Sequence, residues 1–120
     1  MVSPVNALTY PEEVVILSGQ SLSAALNLQG HIFTGVYMPA AWTAASLTFQ
    51  GSFDGDTYFN VFFDGSEIST AVAASGYYGL DPVKFFGLKY LKVRSGTSGT
   101  PVNQGADRTL TLALGRPSTN

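Results

Sequence analysis

The chain has 120 residues, a formal net charge of −2 and no cysteine, so disulfides, thiolate nucleophiles and zinc–thiolate sites are excluded. Charged residues make up 12% of it, about half the ~25% of ordinary domains, and six Lys and Arg are too few for a phosphate-binding face. A domain this size buries roughly two-thirds of its unfolded surface and needs no metal or disulfide staple. Few charges on a large surface also lower the cost of desolvating it. The composition therefore points to an exterior partly covered by neighbouring protein.

The first six residues carry neither a basic nor a long apolar stretch, so no secretory signal is expected. No apolar run approaches the ~20 residues of a membrane span. Residues 1–11 read as an extended arm, 12–116 as one domain and 117–120 as a tail. Residues 13–17 read as a first strand, and Ser18-Gly19-Gln20-Ser21 as a turn. Residues 24–28 give a second strand, with Ala24, Leu26 and Leu28 on one face. Residues 31–38 give a third, with Ile32 and Val36 in part opposite to Phe33 and Tyr37.

Pro39 breaks the pattern, the alanines after it permit one helical turn, and Trp42 is expected to plug one end of the core. Residues 46–53 alternate cleanly: Leu47, Phe49 and Phe53 face one way, Thr48, Gln50 and Ser52 the other. Asp54-Gly55-Asp56 reads as a hairpin turn. Residues 57–63 form the returning strand, Asp64-Gly65 the next turn, and 67–73 and 77–80 two further strands. Asp81-Pro82 opens a loop, with a short turn over 83–86. Residues 88–94 form a strong strand, 95–106 a long exposed loop rich in Gly, Ser, Thr and Pro, and 107–114 the last strand, with Leu110, Leu112 and Leu114 inward.

About eight short strands and almost no 3.6-residue periodicity give an all-β fold, an antiparallel β-sandwich of jelly-roll-like type. A seven-stranded immunoglobulin-like sandwich is the alternative, without the Cys…Trp…Cys pattern.

Candidate chemistry is sparse. His31 is the single histidine, it lies on a strand, and no Gly-x-Ser-x-Gly elbow frames a nucleophile. The eight carboxylates fall mostly at turns, where Asp serves the backbone. Asp54, Asp56, Asp64 and Glu67 offer oxygens to calcium but lack the spacing of a calcium loop. No enzyme, cofactor, metal or small-molecule substrate is expected. Lys84, Lys89, Lys92 and Arg94 read as the solvated side of one strand, so neither nucleic acid nor membrane is an expected partner. Tyr58, Tyr77 and Tyr78 are the candidates for a glycan-binding face.

Several strings stand out together: Ser18-Gly19-Gln20-Ser21-Leu22-Ser23, Met38-Pro39-Ala40-Ala41-Trp42-Thr43, Leu47-Thr48-Phe49-Gln50-Gly51-Ser52-Phe53-Asp54-Gly55, Leu91-Lys92-Val93-Arg94-Ser95-Gly96-Thr97 and Val102-Asn103-Gln104. In this order they resemble small virion proteins of tailed bacteriophages, some of which are similar to head decoration (cement) proteins. The resemblance implies a β-rich homo-oligomer, a trimer by preference, on the capsid surface with the major capsid protein as partner. It brings no catalytic residues. Contact residues are expected in the arm and the long loop: Val5, Leu8, Tyr10, Pro11, Thr97, Pro101, Val102 and Asn103. The Phe53-Asp54-Gly55 string also resembles turns of discoidin-like glycan-binding modules, which implies a carbohydrate-binding module of a phage fibre or tail as the alternative.

Overall fold

The computed structural model describes residues 7–117, and their organisation is almost wholly β. Ten strands run in chain order: β1 (Ala7–Ile16), β2 (Leu26–Asn27), β3 (Ile32–Tyr37), β4 (Leu47–Ser52), β5 (Phe59–Asn60), β6 (Phe62–Phe63), β7 (Ser66–Glu67), β8 (Tyr77–Gly79), β9 (Tyr90–Ser95) and β10 (Arg108–Pro117). One 3₁₀ turn, Pro82–Phe85, lies between β8 and β9. Two four-stranded antiparallel sheets, ordered β1-β10-β3-β8 and β2-β9-β4-β5, face each other, and β6 and β7 form a separate hairpin. This is the all-β sandwich that the short alternating runs predict.

The core fills the space between the sheets. Ile16, Phe33, Val36, Leu110 and Leu112 from one sheet meet Leu47, Phe49, Leu91 and Val93 from the other, all with no exposed surface. Phe33 and Phe49 meet across the gap at 5.5 Å, and Phe85 of the 3₁₀ turn stands edge-on to both at 4.9 and 5.2 Å. Such edge-to-face pairs each add about 0.5–1.5 kcal/mol beyond their burial. Trp42 is half-buried against this cluster, and its Nε1 donates to the Ala45 carbonyl at 3.0 Å. The segment around it forms no helical turn.

Several expectations change. Residues 7–11 are not an arm: they are the first half of β1, paired antiparallel with β10 from Ala7↔Pro117 to Pro11↔Ala113. β1 is an edge strand, so Pro11 is tolerated there, and Glu12 and Glu13 discourage another strand from adding on. Likewise β10 runs on through Pro117, beyond the expected end of the last strand. In β3 both Phe33 and Val36 face the core, because the register against β10 shifts between Ala113 and Leu114 and leaves Thr34 as the extra residue of a bulge. Thr34 Oγ1 donates to the Ala113 carbonyl at 3.0 Å and fixes that bulge.

In β4 the outward side is also covered: Thr48 and Ser52 are buried, while Phe53 lies beyond the strand and is 67% exposed. The returning strand is broken at Val61, which turns into the core, so Phe62 and Phe63 leave the sheet and pair with Glu67 and Ser66. Asp64 and Gly65 both have positive φ, 54° and 82°, as a two-residue type I′ hairpin turn requires. Beyond β7, residues 68–73 keep only an isolated bridge, Leu47↔Thr70.

Residues 95–106 are stitched rather than loose. Gly96 bridges to Pro101, the Val102 amide donates to the Ser95 carbonyl at 2.9 Å, and Gln104 is 1% exposed. Its amide nitrogen donates to the Thr43 carbonyl and Ser95 Oγ at 3.0 and 2.7 Å. Its amide oxygen accepts from the Thr43 amide and Arg108 Nε at 2.9 and 3.1 Å. One buried side chain thus ties together three segments at one end of the sandwich.

Candidate interaction surface

The chain has eight phenylalanines. Three, Phe33, Phe49 and Phe85, are buried; the other five, Phe53, Phe59, Phe62, Phe63 and Phe86, are 45–67% exposed. The five come together because of how the chain runs after β4. The turn at Asp54 is closed by its own side chain, whose Oδ1 accepts from the Asp56 and Thr57 amides at 2.8 and 3.0 Å. These backbone donors, Asp56 first, hold the Asp54 carboxyl below its usual range. The turn leaves Phe53 outside and returns the chain as β5, the edge of its sheet, carrying Phe59.

The β6–β7 hairpin then carries Phe62 and Phe63 away from the sheet. It is anchored through Glu67, whose Oε2 lies 3.3 Å from Arg94 Nη1. Arg94 is 7% exposed and also donates to Asn60 Oδ1 at 2.6 Å and Thr48 Oγ1 at 3.2 Å. The buried guanidinium therefore spends its donors holding the hairpin and β5 to β4. From the other sheet, Asp81 caps the 3₁₀ turn by accepting from the Val83 amide at 3.1 Å. Phe85 pins that turn into the core, and the next residue, Phe86, is presented to solvent.

The product is one apolar edge of the sandwich, on the β5 and β8 side. A groove of about 270 Å³ is lined there by Phe53, Phe59, Phe62, Lys84, Phe86 and Leu88. Lys84 also borders a second depression of about 200 Å³ beside Phe63, and its Nζ lies 5.5 Å from the Phe63 ring centroid. The opposite edge, where β1 and β2 end the two sheets, carries a depression of about 330 Å³ lined by Glu13, Val15, Leu17, Leu22, Ala24 and their neighbours.

The residues expected to make contacts do not gather in one place. Val5 lies outside the described residues. Leu8 pairs through its backbone with Arg116, and Tyr10 packs on the core and on His31, with ring centroids 4.3 Å apart. Pro11 is exposed on the β1 edge. Thr97 closes a tight turn with Thr100, Pro101 is held in the Gly96 bridge, and Val102 is half-buried beside exposed Asn103. Tyr10 and Pro11 sit midway along β1, whereas the 95–106 segment lies beyond its far end, where Gln104 meets Gly19 and Thr43.

The three tyrosines also part. Tyr58 lies on the outer side of the second sheet under Lys92 Nζ, 4.3 Å from its ring centroid. Desolvation first, then Tyr90, Asp54 and Asp56, raise the Tyr58 phenol above its usual range. Tyr78 turns inward and its hydroxyl accepts from the Ala73 amide at 2.9 Å. Tyr77 faces outward on the first sheet and stacks on Tyr37 at 4.4 Å; the two rings are about half exposed. Gly35 makes room for this pair, since a Cβ there would collide with the Tyr77 ring. Tyr37 and the five exposed phenylalanines were missing from the sequence-based candidates. The available signal was a surplus of phenylalanines spaced by Asp-Gly turns.

Among the described residues, no three His, Asp or Glu side chains gather closely enough to hold a metal ion. No helix among them is long and apolar enough to cross a membrane. Comparison with protein-family models, with curated proteins and with solved structures returns no match.

Proposed function

We propose that this chain is a structural subunit that docks into a larger protein assembly through its phenylalanine edge. In the narrower form of the reading it is a decoration protein of a tailed-bacteriophage head. There it would work as a homo-oligomer, a trimer by preference, on the major capsid protein. The observation that carries the reading is the exposure of five of eight phenylalanines along one edge. An aromatic side chain presents about 150–250 Å², so at these exposures the five offer roughly 400–700 Å². That matches or exceeds the largest apolar patch of a typical monomer, about 300–600 Å². It also approaches the ~800 Å² that one partner contributes to a standard interface.

The scarcity of charge supports the same reading. So does the winding of the chain. Leaving out the β6–β7 hairpin, eight strands remain, and every connection but the β4–β5 hairpin crosses from one sheet to the other. This order supports the jelly-roll form, an architecture used in viral shells and lectins. The test is mild stripping of particles assembled with this chain. The reading expects the protein to leave and the shell to weaken. It fails if the shell is unaffected or if the protein co-purifies with the tail.

A second reading has its own observation. Tyr37 and Tyr77 form an exposed aromatic pair, and the register places Thr111 and then Glu13 in line with them across the sheet. Rings beside a hydroxyl and a carboxylate suit the faces and hydroxyls of a sugar. An oligosaccharide array tests this: binding that disappears in Tyr77→Ala supports a glycan-binding module, and an array with no signal removes it.

A further inference from the structure

The chain contains two Asp-Gly pairs, Asp54-Gly55 and Asp64-Gly65. Such a pair is labile because a glycine, with no Cβ, leaves its backbone nitrogen open to the side-chain carboxyl of the residue before it. Ring closure needs a carboxyl free to turn toward that nitrogen, a nitrogen free of other bonds, and space for the ring. The structure sets the two pairs apart on each count.

At Asp54 every group is engaged. Its Oδ1 accepts from the Asp56 and Thr57 amides and from Ser52 Oγ, and the Gly55 amide donates to Ser52 Oγ at 2.8 Å. The Tyr90 ring crowds Gly55, where a Cβ would lie 3.1 Å from it. The same backbone donors hold the Asp54 carboxyl below its usual range, so its protonated form, the electrophile, is scarce. Asp64 and Gly65 are both exposed at the tip of the β6–β7 hairpin, and nothing lies within 4 Å of a Cβ placed on Gly65. The ladder there pairs Phe63 with Ser66 and leaves the amides of the two turn residues outside it. Among the described residues, no hydrogen bond engages the Asp64 carboxylate or the Gly65 amide. Asp64 is also held at a φ of 54°, which is costly for a residue with a Cβ.

We propose that Asp64 is a modification site, isomerising spontaneously to isoaspartate through a cyclic imide, while Asp54 is protected. The Gly65 nitrogen bonds to Asp64 Cγ, and the hydroxyl of the protonated carboxyl leaves with the amide proton as water. Water then adds back to the ring. Opening at Cγ restores aspartate. Opening at the main-chain carbonyl carbon leaves the chain running through Cβ and Cγ and frees the former backbone carbonyl as a carboxylate. No atom is gained or lost overall. The main chain grows by one methylene in a turn built for two residues, so the Phe63↔Ser66 pairing cannot persist unchanged. Phe62 and Phe63 stand on this hairpin, so the modification reshapes that part of the phenylalanine edge whether or not the edge docks.

The test ages the full chain in warm, mildly acidic buffer and maps it with a protease that cuts before aspartate but not before isoaspartate. The same chain in denaturant, where both pairs are free, sets the clock. In the folded chain, cleavage before residue 64 should disappear with time, and its peptide should pass through a form lighter by one water. Cleavage before residue 54 should disappear roughly tenfold or more slowly, because several hydrogen bonds must break before that ring can close. Ser52→Ala frees the Gly55 amide and removes one partner of Asp54. With its fold checked by a thermal melt, that variant should convert residue 54 several-fold faster than wild type. Equal conversion of both sites in the folded chain overturns the proposal, as does an unconverted residue 64 while the denatured chain converts. A folded Ser52→Ala chain whose residue 54 stays as slow as in wild type overturns the reason given for its protection.

Discussion

Replacing Gln104 with leucine keeps the volume of the side chain and deletes four hydrogen bonds. Gln104 is 1% exposed, so water does not readily take its place. Arg108 is half-buried and can turn to solvent, and Ser95 Oγ can rotate toward another acceptor. The Thr43 amide and carbonyl cannot, because both lose the partner that spans from residue 104. Two stranded backbone groups cost about 1–3 kcal/mol each, and the extra apolar burial of leucine returns ~1–2 kcal/mol. The net loss is about 1–4 kcal/mol, which for a domain of this size lowers the thermal midpoint by roughly 4–15 °C. Far-UV circular dichroism reads the midpoint. Hydrogen exchange reads the cause, since the Thr43 amide must lose protection while amides of the β4–β9 ladder keep theirs. A Gln104→Leu midpoint within about 2 °C of wild type would refute the idea that this side chain ties the end of the sandwich together.

Other substitutions separate sites that look alike in sequence. Gly96→Ala must be severe: its φ is +90°, and a Cβ would meet the Thr100 carbonyl oxygen at 2.5 Å and the Val102 nitrogen at 2.6 Å, backbone that cannot yield. A loss of about 2–4 kcal/mol is expected in chemical denaturation. Gly35→Ala meets the Tyr77 ring first, and that side chain can swing away. It should cost about 0.5–1.5 kcal/mol, the worth of the stacked pair, and should abolish any binding that depends on Tyr77. The lowered Asp54 pKa means that its carboxylate stabilises the fold fully above the ordinary value of 3.8 and loses that effect as pH falls through the lower folded value. The 53–57 turn should therefore loosen only in strong acid. Asp54→Ala should flatten the pH dependence of its amide exchange in that range; an unchanged profile would contradict the assignment.

The parts of the fold that were legible in the sequence depend on local pattern. Leu110, Leu112 and Leu114 alternate, Leu47 and Phe49 alternate, and Asp64-Gly65 has the turn chemistry of a tight hairpin. The parts that were hidden depend on what lies across from a residue. Alternation cannot distinguish a central strand from an edge, so Phe59 and Phe62 read as strand residues although their surroundings leave them bare. The bulge at Thr34 is set by the register of β10, a strand that begins more than seventy residues later. Residues 1–11 read as an arm, whereas 7–11 belong to an edge strand, which accommodates Pro11. Gln104 sits in a stretch whose composition signals exposure, and only the return of that stretch onto Thr43 buries it. The interaction surface was obscured for the same reason: it is assembled from a turn, an edge strand, a hairpin and a 3₁₀ turn on two different sheets.

The claim that the phenylalanine edge is an interface is tested most directly by the mass of the pure protein, measured by light scattering over a range of concentrations. Wild type should run at a multiple of 12.7 kDa, three-fold by preference, and a variant carrying Phe59→Ser, Phe62→Ser and Phe86→Ser should fall to the monomer with its thermal midpoint preserved. A wild-type monomer at every concentration that particles also fail to retain, or a triple variant that keeps the assembled mass, would contradict the claim.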